Sequence, residues 1–367
     1  MGRAVRLAVV TNIPAPYRVP VYNRIAGDPR ICFKAFYASQ REPDRNWDLG
    51  KFSHDHTYLE GRFLTLRGRY IHHNPSVIQQ LAEFAPDVVL TTGFNPTHLY
   101  AFAYAMRHGV AHVAMTDGTD ISEAKLGLMH RWARRVVYSR TSAFVAASEG
   151  GKRLFRSSGI AEDRLFLSPL CANMDVRWDN VIPRAPGADF IFCGRFAQVK
   201  NPLFAVQVAL RTAQLLGRRT VLLAVGNGPL EHQLAAAAAR YAKEIEVRVC
   251  GFARQDELPG WYASARILLF PTSWDPWGVI ANEACAAGLP VIVTPDAGVA
   301  NDLIHEGING FVRPLDVDDW ARCAVDLLTD ETIYQGFSAA ARERVGYYSF
   351  KNAAAGIIEA ALSATSR

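Results

Sequence analysis

A chain of 367 residues, half of them hydrophobic and a fifth charged, exceeds the size of a single hydrophobic core and is too apolar for disorder. Two folded domains are therefore expected. The net charge of +5 conceals an asymmetry, because residues 1–186 carry 24 Lys/Arg against 16 Asp/Glu while residues 187–367 carry 16 against 19. A basic first half suits phosphate groups or an acidic membrane surface, and suits a solubilising surface excess equally well.

Six cysteines (Cys32, Cys171, Cys193, Cys250, Cys285, Cys323) are scattered without a C-x-x-C pair and several lie in apolar runs, so they read as reduced core residues. Met1 to Val10 is too short and too soon followed by Pro14 and Pro16 for a signal peptide, and no apolar run approaches about 18 residues. A cytoplasmic protein is expected.

Arg6 to Thr11 (RLAVVT) reads as a buried first strand, followed by the loop NIPAPYRVP and a helical stretch from Val21 to Ile25. The loop prolines fix φ and stiffen it. Val88 to Thr92 and Ala111 to Thr116 are strand-like runs separated by a helical segment near His98 to His108, the alternation of a doubly wound sheet. Their loops carry Gly93-Phe94-Asn95 and Asp117-Gly118-Thr119-Asp120. Ile121 to Arg140 is basic and amphipathic; Arg131, Trp132, Arg134 and Arg135 suit an anionic membrane surface or a solvated helix face. Phe144 to Ser148 is another strand, and Leu165 to Ser168 begins the exit from the domain. His54, His56, His72 and His73 lack metal-ligand spacing and read as surface residues.

Asn173 to Gly187, rich in Pro, Asp and Arg, reads as a linker. Beyond it Phe190 to Cys193 is a strand and Gly194 to Pro202 (GRFAQVKNP) its loop. Arg195 and Lys200, five residues apart around a strand-to-helix turn, suit a grip on a diphosphate from two sides; the alternative is a chance surface pair. Thr220 to Val225 runs into the tight turn Gly226-Asn227-Gly228-Pro229. A dinucleotide fingerprint would need glycine where Glu231 stands, which disfavours a dehydrogenase. In ARILLFPTSWDPWGVIANEACAAGLPVIV, Ala265 to Val293, two buried strands flank a helix that begins near Gly278. Asp275 and Glu283, eight residues apart, fall at the carboxyl edge of those strands, where open α/β sheets bind ligands. Helix N-terminal amides attract phosphate, whereas carboxylates suit hydroxyl donors, so the implied ligand carries both. Taken singly the two acids are also explained as a loop Asp and a helix-capping Glu.

These residues resemble the signature of retaining family four glycosyltransferases of the GT-B fold, E-x7-E followed by A-x-x-x-G-x-P-V-I. Here the match is Asp275, Glu283, Ala284, Gly288, Pro290, Val291 and Ile292, with Asp275 where the family usually has Glu. Gly194, Arg195 and Lys200 match its G-R-x4-K element. The resemblance implies an α/β protein with two doubly wound Rossmann-like domains facing a central cleft. An acceptor domain would span 1–172, a hinge 173–187 and a nucleotide-sugar domain 188–349, with a last helix at about 350–363 crossing back to the first domain. It implies a nucleotide diphosphate sugar as donor substrate, a glycan or lipid-linked acceptor, and cell-surface polysaccharide or glycolipid synthesis.

Under that resemblance Arg195 and Lys200 would hold the diphosphate, Glu283 the ribose and Asp275 the sugar. Gly194, Gly226, Phe252, Gly278, Val279 and Ile280 would line the donor site. In the acceptor domain Asn12, Tyr17 and Arg18 are candidates to contact the acceptor, the alternative being a rigid helix start with a surface Arg18. The second acidic loop lies where many members carry a catalytic His; Asp117 is placed there as a catalytic candidate and Asp120 as an acceptor contact, the alternative being Asp-Gly turn chemistry. No D-x-D metal motif accompanies these residues, so no metal and no cofactor are expected, and no nucleic acid is implied. The competing expectations are a noncatalytic GT-B sugar-nucleotide-binding module and a nucleotide-sugar epimerase.

Overall fold

The computed structural model describes residues 3–366 apart from 44–48, 67–68, 124–126, 174–175, 179–180 and 186. The chain divides into two compact units, Met1–Leu170 with Phe350–Arg367, and Cys171–Ser349.

The first unit is built on β1 (Val5–Thr11), β2 (Ile31–Tyr37), β3 (Asp55–Tyr58), the hairpin β4 (Arg62–Leu66) and β5 (Arg69–His73), β6 (Val88–Thr91), β7 (Ala111–Thr116), β8 (Ala143–Ala146) and β9 (Leu165–Leu167). Seven of these form one sheet in the order β3-β2-β1-β6-β7-β8-β9. Every pairing in it is parallel, with Val9 of β1 opposite Ala35 on one side and Leu90 on the other. Strands buried on both faces are expected to be continuously apolar, and β6 and β8 are buried at every position. The helices are α1 (Val19–Ala26), α2 (Val77–Phe84), α3 (Pro96–His108), α4 (Asp120–Glu123), α5 (Leu128–Tyr138) and α6 (Glu149–Ser157). Pro96 opens α3 and Pro20 sits in the first turn of α1, positions where the missing N–H costs nothing.

The second unit runs β10 (Ala188–Cys193), α7 (Pro202–Leu216), β11 (Thr220–Val225), α8 (Glu231–Arg240), β12 (Ile245–Gly251), α9 (Leu258–Tyr262), β13 (Ala265–Phe270), α10 (Val279–Ala287), β14 (Val291–Val293), β15 (Gly310–Val312), α11 (Val317–Thr329) and α12 (Glu331–Val345). Its six strands are parallel in the order β12-β11-β10-β13-β14-β15. One core gathers Phe190, Phe192, Phe196, Ile267, Leu269 and Trp320. The last helix, α13 (Phe350–Thr365), belongs to the first unit. There a Cβ at Gly356 would overlap the Leu167 carbonyl, so only glycine lets the helix approach β9 so closely, and Glu359 pairs with Arg30 at 3.1 Å.

Two sequence expectations change, for the histidines and for Leu165 to Ser168, and two fall partly outside the described residues. His54 and His72 are buried rather than on the surface: His54 lies between Tyr37 and Asn23, and His72 bonds Glu42 at 3.0 Å. Desolvation lowers His54 to about 4, so it is neutral near pH 7. Leu165–Leu167 is an edge strand paired to β8 rather than the start of an exit. Ile121 to Arg140 holds the end of α4 and then α5, with 124–126 between them outside the described residues. Of the expected linker, 174–175, 179–180 and 186 also lie outside them; the described part bonds into the second unit through Arg184 N–H to the Gly260 carbonyl and Ala185 N–H to Ser264 Oγ.

Candidate active site

In both sheets the strand order reverses beside the first strand, at β1/β6 and at β10/β13. Open parallel sheets leave a crevice at such a reversal, because the loops on either side depart to opposite faces. The loops at the carboxyl ends of β10 and β13 contain Arg195, Lys200 and Asp275, so the topology assembles them.

The β10 and β11 loops are interlocked backbone to backbone. Gly194 N–H donates to the Val225 carbonyl at 2.9 Å, Phe196 N–H to the Asn227 carbonyl at 2.7 Å and Gly226 N–H to the Gly251 carbonyl at 2.7 Å. Gly194, Gly226 and Gly228 have φ of +140°, +139° and +151°, a region open only to glycine. Their side-chain-free surfaces are also in use: a Cβ at Gly226 would overlap the Gly194 carbonyl, and one at Gly228 the Phe196 backbone. Phe196 is fully buried, so the loop that carries Arg195 and Lys200 is anchored in the core between them.

The β13 loop is tied to the same structure. Thr272 Oγ1 and Ser273 N–H both donate to the Val199 carbonyl, at 3.0 and 2.9 Å, and Asn201 Nδ2 to the Pro271 carbonyl at 2.9 Å. Lys200 Nζ donates to Asp275 Oδ2 at 2.5 Å, both groups being largely shielded. Asp275 Oδ1 accepts from Trp277 N–H at 3.0 Å, closing a turn that leads to Gly278 (φ +104°) and the start of α10. Arg195 is exposed and, among the described residues, forms no ion pair. Phe252, 66% exposed, follows Gly251 at the end of β12.

Glu283 lies on the fully buried stretch of α10 and is 6% exposed. Tyr262 Oη donates to its Oε2 at 2.8 Å. Burial pushes the carboxyl up to about 7, against the opposing effect of the Tyr262 bond. The helix start (Gly278, Val279, Ile280), Asp275, Lys200 and Glu283 thus surround one strand-to-helix junction. Two features escaped sequence reasoning. The direct Lys200–Asp275 pair reflects loop geometry between residues 75 positions apart, and Tyr262 sits in an apolar five-residue helix, LPGWY, that carries no site signature.

In the first unit the β1 and β6 loops are also joined: Asn95 Nδ2 donates to Asn12 Oδ1 at 2.9 Å and Thr92 Oγ1 to Thr11 Oγ1 at 3.0 Å. Arg18 is buried, not at the surface, and donates to Asp117 Oδ1 at 2.6 Å and Ser168 Oγ at 3.0 Å. The structure therefore joins two residues that the sequence offered separately. Tyr17 is half-buried beside them in sequence. Asp120 is held by both oxygens in a bidentate pair with Arg153, at 2.9 and 3.1 Å. Among the described residues no group of three His, Cys, Asp or Glu is arranged to hold a metal ion, and no helix is long and apolar enough to cross a membrane.

Residues 187–330 match the family described as glycosyl transferases group 1, and residues 35–175 match glycosyltransferase family 4. An uncharacterised glycosyltransferase of Methanocaldococcus jannaschii is 29% identical over 142 residues, 38% of this chain and 35% of that protein. The 2-deoxystreptamine glucosyltransferase of Streptomyces kanamyceticus is 30% identical over 149 residues, 41% and 38% of the two chains. The matched part thus spans under half the length of these curated relatives. Among solved structures, a glycosyltransferase of Rickettsia africae superposes with a TM-score of 0.75 at 16% identity over 99% of both chains. The Anabaena protein HepE, crystallised with UDP and glucose, superposes with 0.71 at 14% identity over 97% and 98%.

Proposed function

This chain belongs to the family four, group 1 glycosyltransferases, with two Rossmann-like units of the GT-B type, and from that membership we propose that it moves a hexosyl group from a nucleoside diphosphate sugar to a glycan or lipid-linked acceptor with retention at the anomeric carbon. The observation that carries the reading is the convergence of Lys200, Asp275, Glu283 and the start of α10 on one junction at the sheet's switch point, with Arg195 on the same loop as Lys200.

In this reading Glu283 accepts hydrogen bonds from ribose hydroxyls, and Phe252 with Gly226 borders the base. As the bond from sugar to diphosphate breaks, negative charge grows on the departing phosphate. Arg195, Lys200 and the N–H groups of Val279 and Ile280 bear it, the two amides being fixed by the helix before the donor arrives. Lys200 must exchange its Asp275 contact for phosphate when donor binds, which hands Asp275 to the sugar hydroxyls. The acceptor hydroxyl attacks on the donor's own face, its proton passing to a phosphate oxygen of the leaving group, so no protein nucleophile is required. On the acceptor side Asp117, held by Arg18, orients the hydroxyl, with Asn12 and Tyr17 in the adjoining loop. Synthesis of a surface polysaccharide or glycolipid, at the cytoplasmic face of a membrane, fits such an acceptor.

The test is a thermal-shift screen against UDP-, GDP- and ADP-sugars followed by assay of nucleoside diphosphate release. A donor at a hundred times its dissociation constant stabilises the protein by roughly 2.7 kcal/mol. No stabilisation by any donor refutes the proposal. Membrane contact rests on α5, where Trp132 is 70% exposed and Arg131 and Arg135 are exposed beside it. Binding to acidic vesicles that weakens with salt supports it, and equal recovery on neutral vesicles refutes it.

A further inference from the structure

The Tyr262 hydroxyl is fully buried; its shortest contact is to the Oε2 atom of Glu283, at 2.8 Å, with the Ile280 carbonyl further off at 3.4 Å and the Cys193 thiol also against it. Nothing in the packing of a parallel-sheet domain calls for a phenol there, since phenylalanine would fill the same volume without a polar atom to satisfy. The contact spans two elements, α9 and α10, and involves one of the two carboxylate oxygens. Oε1 accepts no hydrogen bond among the described residues. The carboxylate is thus held through Oε2, and its second oxygen is a buried acceptor without a hydrogen-bond partner among the described residues.

We propose that Tyr262 is a positioning residue for donor binding: its hydroxyl holds the Glu283 carboxylate in the orientation in which it accepts hydrogen bonds from the donor. The proposal rests on the donor-site reading of Glu283 given above. Burial raises the Glu283 carboxyl to about 7, and the Tyr262 bond is the one contact that lowers it. The groups acting on Glu283 are few. Tyr262 comes from α9, and Cys193 from β10 is a thiol that burial raises to about 12 and that is therefore neutral. Arg342 of α12 reaches only the far end of α10, at the Ala287 carbonyl, 2.8 Å.

The ionised carboxylate takes hydroxyl donors, so donor affinity is complete above the Glu283 midpoint and declines as pH falls through it. Removing the Tyr262 hydroxyl withdraws a bond to the charged form and moves that midpoint upward. Loss of one such bond corresponds to about one pH unit, or roughly fivefold weaker binding near pH 7 that fades at higher pH.

The experiment measures dissociation constants of UDP-glucose, GDP-mannose and ADP-glucose from about pH 5.5 to 8.5, a range in which the diphosphate diester does not titrate. Wild type should show a midpoint near 7, Glu283→Gln a flat profile, and Tyr262→Phe a midpoint displaced upward with near-normal affinity at the alkaline end. Replacement of Tyr262 by 3-fluorotyrosine keeps the hydroxyl and nearly the volume but donates more strongly, and should displace the midpoint downward; it decides the matter should Tyr262→Phe not fold. A uniform loss of affinity at all pH, or an unmoved midpoint in both variants, overturns the proposal and leaves the donor-site reading standing. Failure of wild type to bind any of the three sugars overturns both.

Discussion

Replacing Asp275 by asparagine separates the two roles that meet at the Lys200 contact. In the structure Lys200 Nζ lies 2.5 Å from Asp275 Oδ2, with 26% and 17% of the two side chains exposed, so solvent screens the pair only in part. A diphosphate arriving at Lys200 must break that pair and also meets the negative charge of Asp275. A hydrogen bond between charged groups contributes about 1.5–3 kcal/mol, and partial exposure argues for the lower end. Asp275→Asn removes the charge but keeps an Oδ1 that can accept from Trp277 N–H, so the turn before α10 should persist. Bare UDP is therefore expected to bind as well as to wild type or up to roughly tenfold more tightly, each factor of ten being about 1.4 kcal/mol. Sugar transfer should fall, because the sugar hydroxyls lose their charged acceptor. Calorimetric titration of UDP and of the UDP-sugar into both proteins, with turnover measured alongside, tests this. Tenfold weaker binding of bare UDP to Asp275→Asn would refute the argument, since it would mean that Asp275 supports the diphosphate grip instead of opposing it.

Arg195→Ala and Lys200→Ala should each lower turnover on the order of 100- to 1000-fold while leaving the melting temperature nearly unchanged, as removal of one group stabilising developing charge typically does; near wild-type turnover in both would exclude them from catalysis. Gly226→Ala forces a Cβ into the Gly194 carbonyl at φ +139°, so unfolding titration should show a loss of at least about 1–3 kcal/mol together with weakened donor binding, and an unaffected protein would show that the interlocked loops are not rigid. Asp117→Asn leaves the buried Arg18 guanidinium without its charged partner, 2.6 Å away, and should cost about 1.5–3 kcal/mol by denaturant titration as well as reducing transfer; loss of transfer alone would show that the pair is not structural.

The amino-acid sequence alone determined the class of this fold and the order of its parts. Runs such as RLAVVT, VVLTT and ARILLF are apolar on both faces, which only the buried strands of a parallel sheet require, and β1, β6 and β13 form where those runs lie. Glycines at 194, 226, 228 and 278 were legible because spacing marks a turn, although the reasons for glycine are tertiary: all four have positive φ, and a Cβ would overlap another loop at Gly226 and Gly228 and the Phe270 ring at Gly278. The short edge strand β3, the hairpin β4–β5 and β9 were not legible: four or five residues of mixed polarity, or in β9 three apolar ones, carry too little periodicity to separate strand from loop. His54 and His72 show the same limit, since a histidine is polar by composition and becomes a core residue only when Tyr37, Asn23 and Glu42 are brought around it. Candidate site residues could be named one by one because each sits in a short motif. Their partnerships could not, because Arg18 with Asp117, Lys200 with Asp275 and Tyr262 with Glu283 join separate loops and helices. Local sequence sets backbone preference over a few residues, whereas which side chains meet is decided by strand order, and strand order is a property of the packed sheet.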